Sequence, residues 1–228
     1  MPDGRIKAGK PPARILVVDD HPAVREALAI RIGGEPDLVV CGEAADVAGA
    51  LQLAASTKPD VAVVDLSLKS ASGLDLIKRL KAHHERVLVI VWSMFSENLY
   101  AERVLRAGAR GYINKEHATD KIIEAIRYVL DGKVYLSPAM TEKLLERAAQ
   151  SSSRHESLLA MIDDLSDREL DVFRLIGQGA KTAEIATQLH LSVKTVETYR
   201  DRIRAKLDLR DSAALARSAV QWTLENRL

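Results

Sequence analysis

The sequence predicts an α/β domain with a doubly wound, five-stranded parallel sheet, followed by a second, smaller all-α domain of four helices. From residue 14 to about residue 132, short runs rich in Val, Ile and Leu alternate with amphipathic stretches. Such near-continuous apolar strands are typical of a sheet covered by helices on both faces, and their alternation with helices indicates right-handed parallel crossovers. Beyond residue 164 the strand-like runs stop and only helical patterns remain.

Each element of the first domain follows from one segment of this alternation. The strands are expected at 15–18, 38–41, 61–64, 87–91 and 110–113, and the helices near 22–32, 46–57, 72–82, 97–107 and 117–131. Cys41, the single cysteine of the chain, ends the second run, where we expect a buried packing residue. One cysteine also excludes an intramolecular disulfide.

Composition shifts predict four segments: a mobile extension at 1–13, the α/β domain at 14–132, a helical linker at 133–164 and the all-α domain at 165–228. Ser137 and Pro138 are a cap residue and a first-turn proline, which together predict a linker helix of about a dozen residues. The polar stretch 150–157 is expected to separate the domains. Helices of the last domain are expected at 166–176, 182–190, 193–207 and 211–223.

The bulk composition narrows the class of protein. Lys and Arg total 33 against 32 Asp and Glu, so any nucleic-acid contact must come from a local basic patch. No apolar run approaches the about 20 residues that a membrane-spanning helix needs, and the first residues lack the apolar middle of a secretion signal. The chain is therefore expected to be cytoplasmic, with no membrane partner.

Polar residues follow four of the five predicted strands. Asp19 and Asp20 follow the first strand and Asp65 the third, while Ser93 ends the fourth and Lys115 follows the fifth. Because ligands bind outside the carboxyl ends of strands in an open parallel sheet, these side chains are expected to meet at one rim.

Crowded carboxylates predict a metal site. Two charges at 4 Å repel by about 4 kcal/mol at an intermediate dielectric, and Mg²⁺, which prefers oxygen ligands, relieves this repulsion. One carboxylate can then attack phosphorus while the metal and Lys115 neutralise the phosphoryl oxygens, and Ser93 can donate a hydrogen bond to the product. The alternative for each aspartate alone is a helix cap, but five such residues at their strand ends favour a functional site.

A phosphatase of the haloacid dehalogenase type is a competing interpretation, since it also uses a strand-end aspartate and Mg²⁺. That class needs a second aspartate two residues after the nucleophile, whereas Asp65 is followed by Leu66 and Ser67. The sequence therefore predicts no enzyme beyond self-phosphorylation and self-dephosphorylation.

The second domain contains a helix-turn-helix pattern. On a helical wheel, Val196, Tyr199, Ile203 and Leu207 form one apolar stripe, and the opposite face is polar. This segment follows the helix at 182–190 through a tight turn in which Ser192 can serve as N-cap. The second helix of such a pair binds in the DNA major groove by its N-terminal part.

Residues 14–132 resemble the receiver domain of bacterial response regulators, which has the flavodoxin-like fold. The match rests on the segments Ile15–Pro22, Val63–Leu66 and Gly111–Lys115, together with Gly73 and Ser93. The resemblance implies that Asp65 is phosphorylated by a sensor histidine kinase and that Mg²⁺ is bound by Asp19, Asp20, Asp65 and the backbone carbonyl of Ser67. It further implies a phosphate-sensing pair, Ser93 and Lys115, and an aromatic switch, Tyr112.

The second domain carries a further set of motif residues: Leu165–Leu170, Gly179, Glu184–Ala186, Leu191–Val196, Ile203, Lys206 and Leu207. Through them residues 165–223 resemble the LuxR/FixJ-type DNA-binding domain. Together with the receiver, the resemblance covers most of the chain and indicates the NarL/FixJ subfamily of response regulators. The resemblance implies double-stranded DNA as partner, transcription regulation, RNA polymerase as a candidate further partner, and a homodimer through the last helix when phosphorylated or DNA-bound. The last helix could alternatively pack only within its own domain. The residues expected to contact bases or phosphates are Lys194, Thr195, Glu197, Thr198, Arg202, Arg204 and Lys206.

Two departures from the family patterns carry their own expectations. Lys69 stands where a proline is common, and we expect altered loop dynamics or phosphoryl lifetime. Glu197 stands where a lysine is common, and it could accept a hydrogen bond from cytosine N4 or pair with Arg200 or Arg204. A final alternative, a regulator whose helical domain never binds DNA, is left to experiment.

Overall fold

The structure of the chain is a computed structural model, and it describes residues 11–68, 72–117, 121–149, 161–162 and 165–225. The chain divides into two compact units. The first contains the residues up to Ser96 and Arg103–Leu136, and the second contains Glu97–Glu102 and the residues from Ser137 onward. The predicted extension at 1–13 lies outside the described residues except for its last three, and so does the polar stretch 150–157.

The first unit is built on a five-stranded, all-parallel sheet with the strand order β2-β1-β3-β4-β5. The strands are β1 (Ala13–Val18), β2 (Leu38–Ala44), β3 (Val61–Val64), β4 (Leu88–Ser93) and β5 (Gly111–Asn114). The order changes direction between β1 and β3, where Val18 is in register with Val64. The predicted doubly wound sheet is confirmed, and β1 and β3 flank its topological switch point.

Each crossover between strands carries one helix, as the alternating pattern predicts. The helices are α1 (Pro22–Gly33), α2 (Val47–Thr57), α3 (Gly73–His83) and α4 (Glu97–Arg106), and α5 (Lys121–Leu130) follows the last strand. A short 3-10 helix at Lys115–His117 begins directly after β5.

The core of this unit uses both faces of the central strands. Ile15, Val17, Val61 and Val63 pack with side chains of α1 and α5 in one apolar cluster. The alternate strand residues, such as Leu16 and Val64, are fully buried as well, because side chains point to opposite faces with a period of two. The central strands are therefore covered on both sides.

Strand β2 corrects one expectation. It runs to Ala44 rather than ending at Cys41, and because it is an edge strand most of its residues are only partly buried. Cys41 is half-buried in the middle of this strand, with its Sγ 3.4 Å from Oγ1 of Thr57. The expectation that Cys41 is a buried residue at a strand end is thus wrong. A run of apolar residues alone does not distinguish an edge strand from a central strand.

The second unit is helical, with α6 (Pro138–Ala149), α7 (Asp167–Gly177), α8 (Thr182–Gln188), α9 (Val193–Lys206) and α10 (Ser212–Glu225). The Oγ of Ser137 accepts the N–H of Met140 at the start of α6, as predicted for a cap. A capping box of Ser166 and Glu169 opens α7. The core of α7 to α10 consists of large apolar side chains, among them Phe173, Ile185, Val196, Ile203, Leu215 and Trp222. In the part of the chain that is described, no helix combines the length and apolarity needed to cross a membrane.

Candidate functional site

Three carboxylates meet at the switch point of the sheet. Asp19 and Asp20 directly follow β1, Asp65 directly follows β3, and these neighbouring strands bring them together. Their exposed fractions are only 2, 8 and 3 %. Single ligand atoms of these three residues and of His21 all lie within 4.8 Å of one another. The predicted convergence of strand-end residues therefore holds for all three acids.

Lys115 joins two of these acids. Its Nζ donates hydrogen bonds to Oδ2 of Asp19 and to Oδ2 of Asp65, each at 2.6 Å. The ammonium comes from the residue after β5, and the side chain is 10 % exposed. One ammonium does not balance three carboxylates, so the site keeps an excess of negative charge in a place largely closed to water.

The donor set fits a hard divalent cation. Among the described residues, no hydrogen-bond partner is found for the buried Oδ1 of Asp20. Nδ1 of His21 lies 2.8 Å from this oxygen, and the contact is attractive only when that nitrogen carries a proton. A buried carboxylate oxygen without a donor, beside two further carboxylates, matches the oxygen ligands that Mg²⁺ prefers. The acidic cluster can therefore hold a metal ion.

The polypeptide around Asp19 is held from several sides. Its N–H donates to the carbonyl of Ala44, and its Oδ1 accepts the N–H of His21 at 2.8 Å. From α1, Nη1 of Arg25 donates to the carbonyl oxygen of Asp19 at 2.6 Å. Sequence reasoning missed Arg25, for which the only signal is a basic residue in the first turn of the helix after the aspartate pair.

Asp65 and its loop are positioned by close backbone packing. Oδ1 of Asp65 accepts the N–H of Ser67 at 3.2 Å, while the carbonyl of Ser67 as a metal ligand remains a prediction. Gly73 begins α3 against this loop, and its N–H donates to the carbonyl of Leu66. A Cβ at Gly73 would lie 2.7 Å from Cα of Leu66 and still closer to the carbonyl oxygen of Asp65. Lys69, the departure from the family pattern, lies outside the described residues.

Two of the predicted sensing residues, Ser93 and Tyr112, contact the loop after β4. Ser93 is fully buried, and its Oγ accepts the N–H of Phe95 at 3.3 Å. Tyr112 is 1 % exposed, and its hydroxyl donates to the carbonyl oxygen of Phe95 at 2.9 Å. The side chain of Asn114 donates to the same carbonyl at 3.2 Å. The ring of Tyr112 is thus turned inward here, and the Phe95 backbone, which no sequence signal marks, links it to Ser93.

The helix-turn-helix pattern of the second unit forms as predicted. After α8, His190 has a φ of 53°, and Ser192 caps α9 by accepting the N–H of Thr195 at 3.0 Å. Val196, Ile203 and Leu207 are buried, and Tyr199 is partly buried. The predicted apolar stripe therefore faces the core, and the opposite face of α9 is open to solvent.

The candidate DNA-contacting residues fall into two groups. Lys194, Glu197, Thr198 and Arg202 are exposed on α9, and no ion pair of Glu197 occurs among the described residues. In this group the hydroxyl of Thr198 donates to the backbone carbonyl of Lys194 at 3.0 Å. The others have side-chain partners within the domain: Thr195 with Ser192, Arg204 with Asp201, and Lys206 with Glu169. Because Arg204 pairs with Asp201, a surface pairing of Glu197 with Arg204 is not what the structure contains.

Lys206 binds a carboxylate that is otherwise buried. Oε2 of Glu169 lies 2.7 Å from Nζ of Lys206 and also accepts the N–H of Ser166 at 2.7 Å. Burial alone would raise the pKa of the Glu169 carboxyl, but the hydrogen bonds from Lys206 and Ser166 outweigh it and hold the pKa below its ordinary value of 4.5. The structure therefore gives Lys206 a role in domain stability that the sequence did not indicate.

Replacing Lys206 with methionine is expected to lower the free energy of unfolding of the helical domain by about 1–3 kcal/mol, since Glu169 would lose its charged donor. A lowered pKa in the folded state contributes stability above the ordinary glutamate pKa and loses it as pH falls through the folded value. The variant should therefore lose less stability than the wild type on acidification below about pH 4.5. Urea unfolding followed by Trp222 fluorescence in a Trp92→Phe background measures both effects.

Lys194→Met is the matched control, because Lys194 is exposed near the start of the same helix. It should leave stability within about 0.5 kcal/mol of the wild type but reduce the salt dependence of DNA binding by about one phosphate contact. If the unfolding curves of Lys206→Met and Lys194→Met coincide, Lys206 does not stabilise the domain.

Helix α10 has one face packed inside its domain and another face exposed. Leu215, Ala219 and Trp222 pack inside the domain, with Trp222 5.5 Å from the ring of Phe173. Val220 and Leu224 lie on the other side and are 41 and 61 % exposed. Ala216, Arg217 and Gln221 complete a shallow groove there. One face of the helix therefore belongs to the core, and the other offers an apolar surface.

Two family profiles match the chain, one in each unit. The profile described as "Response regulator receiver domain" matches residues 15–127. The profile described as "Bacterial regulatory proteins, luxR family" matches residues 163–219.

Relatives of similar length align with nearly the whole of this chain. The response regulator GacA of Pseudomonas aeruginosa is 34 % identical over 91 % of this chain and 95 % of its own length. The oxygen regulatory protein NreC of Staphylococcus carnosus is 32 % identical over 94 and 98 %. Among solved structures, RcsB of Salmonella enterica serovar Typhimurium, bound to the promoter P1flhDC in the presence of the phosphomimetic BeF3−, is 26 % identical with a TM-score of 0.55, covering 91 % of this chain and 98 % of that one.

Proposed function

Because the chain belongs to the NarL/FixJ-type response regulators, we propose that it is a transcription factor in which phosphorylation of Asp65 controls DNA binding by the helix-turn-helix domain. One observation supports a phospho-acceptor in this acidic cluster, and the resemblance to the receiver family selects Asp65 among its acids. Asp65 is buried at the switch point, shares the ammonium of Lys115 with Asp19, and lies beside Asp20, whose buried Oδ1 has no hydrogen-bond partner among the described residues. This is the charge arrangement that transfer of a phosphoryl group to a carboxylate requires.

Asp19, Asp20, Asp65 and the Ser67 carbonyl would hold Mg²⁺, which supplies positive charge for the phosphoryl oxygens. The donor class is a phosphohistidine of a partner sensor kinase. A carboxylate oxygen of Asp65 attacks phosphorus, the bond from phosphorus to the imidazole nitrogen breaks, and the imidazole leaves with the electron pair. Attack by water on the phosphoryl group later restores the carboxylate, so the domain acts only on itself.

The residues around Asp65 respond to the new charge. Lys115 already contacts Asp65 and can follow the phosphoryl oxygens. The Oγ of Ser93 accepts the N–H of Phe95 and keeps its own proton to donate to the phosphoryl group, so a shift of Ser93 toward that group pulls on the Phe95 loop. Tyr112 bonds the same loop through the Phe95 carbonyl, so its position depends on this rearrangement.

The exposed N-terminal part of α9 is the surface that fits a major groove. Lys194, Thr198 and Arg202 supply donors to phosphates and bases, and Glu197, unpaired with any described residue, is suited to accept from cytosine N4. We assign the apolar groove on α10 to a homodimer seam, because a dimer doubles the small contact area of one module. RNA polymerase is the candidate next partner, and the cytoplasm is the expected compartment.

The test has two steps, phosphoryl uptake and DNA binding. Wild-type protein incubated with Mg²⁺ and a small acyl phosphate should gain one phosphoryl group by intact mass, and Asp65→Asn should gain none. Asp75→Asn is the control, because this carboxylate is 42 % exposed on the same domain and should leave uptake unchanged. Equal uptake by Asp65→Asn and wild type would overturn the assignment.

For DNA binding, gel shifts with genomic fragments are run over a salt series, with and without the phosphodonor. Phosphorylated wild type is expected to bind more tightly than Asp65→Asn, and its binding should weaken as salt rises, because phosphate contacts release counterions. Binding that is absent at every salt concentration would favour the regulator that acts through protein contacts alone.

A further inference from the structure

The chain turns back along the sheet after α5. Gly132, with a φ of 81°, allows the turn, and the next residues run beside β5. The N–H of Tyr135 donates to the carbonyl of Arg110, and the N–H of Tyr112 donates to the carbonyl of Tyr135, both at 2.9 Å. Tyr135 and Gly111 thereby form a parallel bridge. Residues 133–136, named the strap here, thus pair with the outer side of β5, the last strand in the sheet order.

Side chains hold the strap close to the strand. A Cβ on Gly111 would meet the Cβ and carbonyl oxygen of Tyr135 at 3.3 Å, so the absence of a side chain permits this approach. The ring of Tyr135 packs edge-on against Tyr128 of α5, with centroids 5.8 Å apart. Nζ of Lys133 lies 4.9 Å from the centre of the Tyr128 ring. The strap is therefore a specific contact that pairs with β5 through the two backbone hydrogen bonds of Tyr135.

Tyr112 connects the strap to the acidic site. Its N–H bonds to Tyr135, while its hydroxyl bonds to the Phe95 carbonyl, next to the contact of Phe95 with Ser93. A movement of Tyr112 therefore changes contacts on both sides of β5. After Leu136 the chain continues directly into Ser137 and α6, so the strap is the first part of the segment that leads to the DNA-binding domain.

We propose that the strap is a release device: its pairing with β5 is retained in the unphosphorylated state and weakened when the Phe95 loop rearranges around a phosphoryl group on Asp65. The inference rests on the proposed function of Asp65. Turning Ser93 toward the phosphoryl group alters the loop that holds the Tyr112 hydroxyl, and the loosened strand end loses its bond to Tyr135. Freeing the strap lengthens the segment that connects the two domains. An isolated bridge at the edge of a sheet is the kind of contact whose population such a signal shifts.

The experiment compares amide hydrogen exchange at Tyr112 and Tyr135 in the full chain, with and without BeF3− and Mg²⁺. Exchange at both amides is expected to accelerate at least fivefold on addition, while amides of β1 and β3 stay protected. Unchanged or slower exchange, in protein that binds BeF3−, would overturn the release device. Binding itself is read from Trp92, the residue before Ser93, in a Trp222→Phe background.

The coupling between the acidic site and the strap is reciprocal, which provides a second test. A ligand whose binding releases the strap must bind more tightly when the strap is already loose. Tyr135→Pro removes the N–H that donates to Arg110 and should tighten BeF3− binding about threefold or more. Val134→Pro is the control, since no hydrogen bond of the Val134 N–H occurs in the described part of the chain, and it should bind as wild type does. Tyr135→Ala, which keeps the backbone but loses the contact with Tyr128, should show the same direction if Tyr135→Pro does not fold.

Failure of the function proposed for Asp65 and failure of the strap proposal give different experimental results. If wild type and Asp65→Asn respond identically to BeF3−, the function proposed for Asp65 fails and the release device falls with it. If only wild type binds BeF3− but the affinities of Tyr135→Pro, Tyr135→Ala and Val134→Pro match that of the wild type, the strap is a static edge cover and only the further inference fails.

Discussion

Gly73→Ala is expected to lower the free energy of unfolding of the first unit by about 3 kcal/mol and to slow phosphoryl uptake at least tenfold. The added Cβ would lie 2.7 Å from Cα of Leu66 and 2.9 Å from the carbonyl carbon of Asp65. Both neighbours are backbone atoms, so neither can move aside as a flexible side chain could. The loop that carries Asp65 must shift instead, which displaces the carboxylate from Lys115.

The measurements for Gly73→Ala are urea unfolding and the rate of phosphoryl uptake by intact mass. Gly33→Ala is the matched control, because a Cβ at Gly33, the last residue of α1, meets nothing within 4 Å. That change should raise stability by about 0.4–1 kcal/mol through the unfolded chain and leave uptake unchanged. A Gly73→Ala protein as stable and active as wild type would show that the loop tolerates displacement, against the close packing described above.

Lys115→Met is expected to have the second large effect, and its sign depends on Mg²⁺. Without metal, loss of the ammonium leaves Asp19 and Asp65 buried without their shared donor, and stability should fall by about 3 kcal/mol. The affinity for Mg²⁺ should rise at least tenfold, because a cation no longer has to bind beside an ammonium that repels it. Added Mg²⁺ should therefore stabilise the variant more than the wild type.

The measurement is the unfolding midpoint of both proteins across a Mg²⁺ titration. Lys121→Met serves as the control, since Lys121 is an exposed lysine at the start of α5, and its Mg²⁺ response should equal that of the wild type. The same midpoint shift in Lys115→Met and Lys121→Met would contradict a metal site beside Lys115. If Lys115→Met accepts a phosphoryl group yet no longer tightens DNA binding, Lys115 acts in sensing as well.

The acidic site was predictable because it requires only that β1 lies beside β3 in a parallel sheet. Any parallel arrangement with β1 beside β3 places Asp19, Asp20 and Asp65 at one rim, and the apolar runs before them mark the strand ends. The role of Arg25 was not predictable in the same way. Its partner is a backbone carbonyl, which leaves no complementary residue in the sequence, so only the folded path of α1 brings the guanidinium to Asp19.

The helix-turn-helix shows the same division. The capping box, the apolar stripe of α9 and the cap at Ser192 follow from local spacing, and each is present in the structure. Lys206 was expected to contact DNA because of its position in the resemblance to the LuxR/FixJ-type domain. Its engagement with Glu169 depends on the packing of α9 against α7, a contact between residues 37 positions apart.

The sequence by itself determined the two fold classes, the order of their elements and the residues at the strand ends, because periodicity, capping and strand-end positions are local properties of the chain. Only the tertiary structure decided which of those residues share donors, which strand is an edge, and that Tyr135 pairs with β5 next to the inward-turned Tyr112. Those outcomes depend on backbone groups and on distances between segments remote in sequence. Backbone donors and acceptors are the same at every residue apart from proline. The identity of the side chains therefore does not indicate which backbone groups pair, and this is known only from the folded structure.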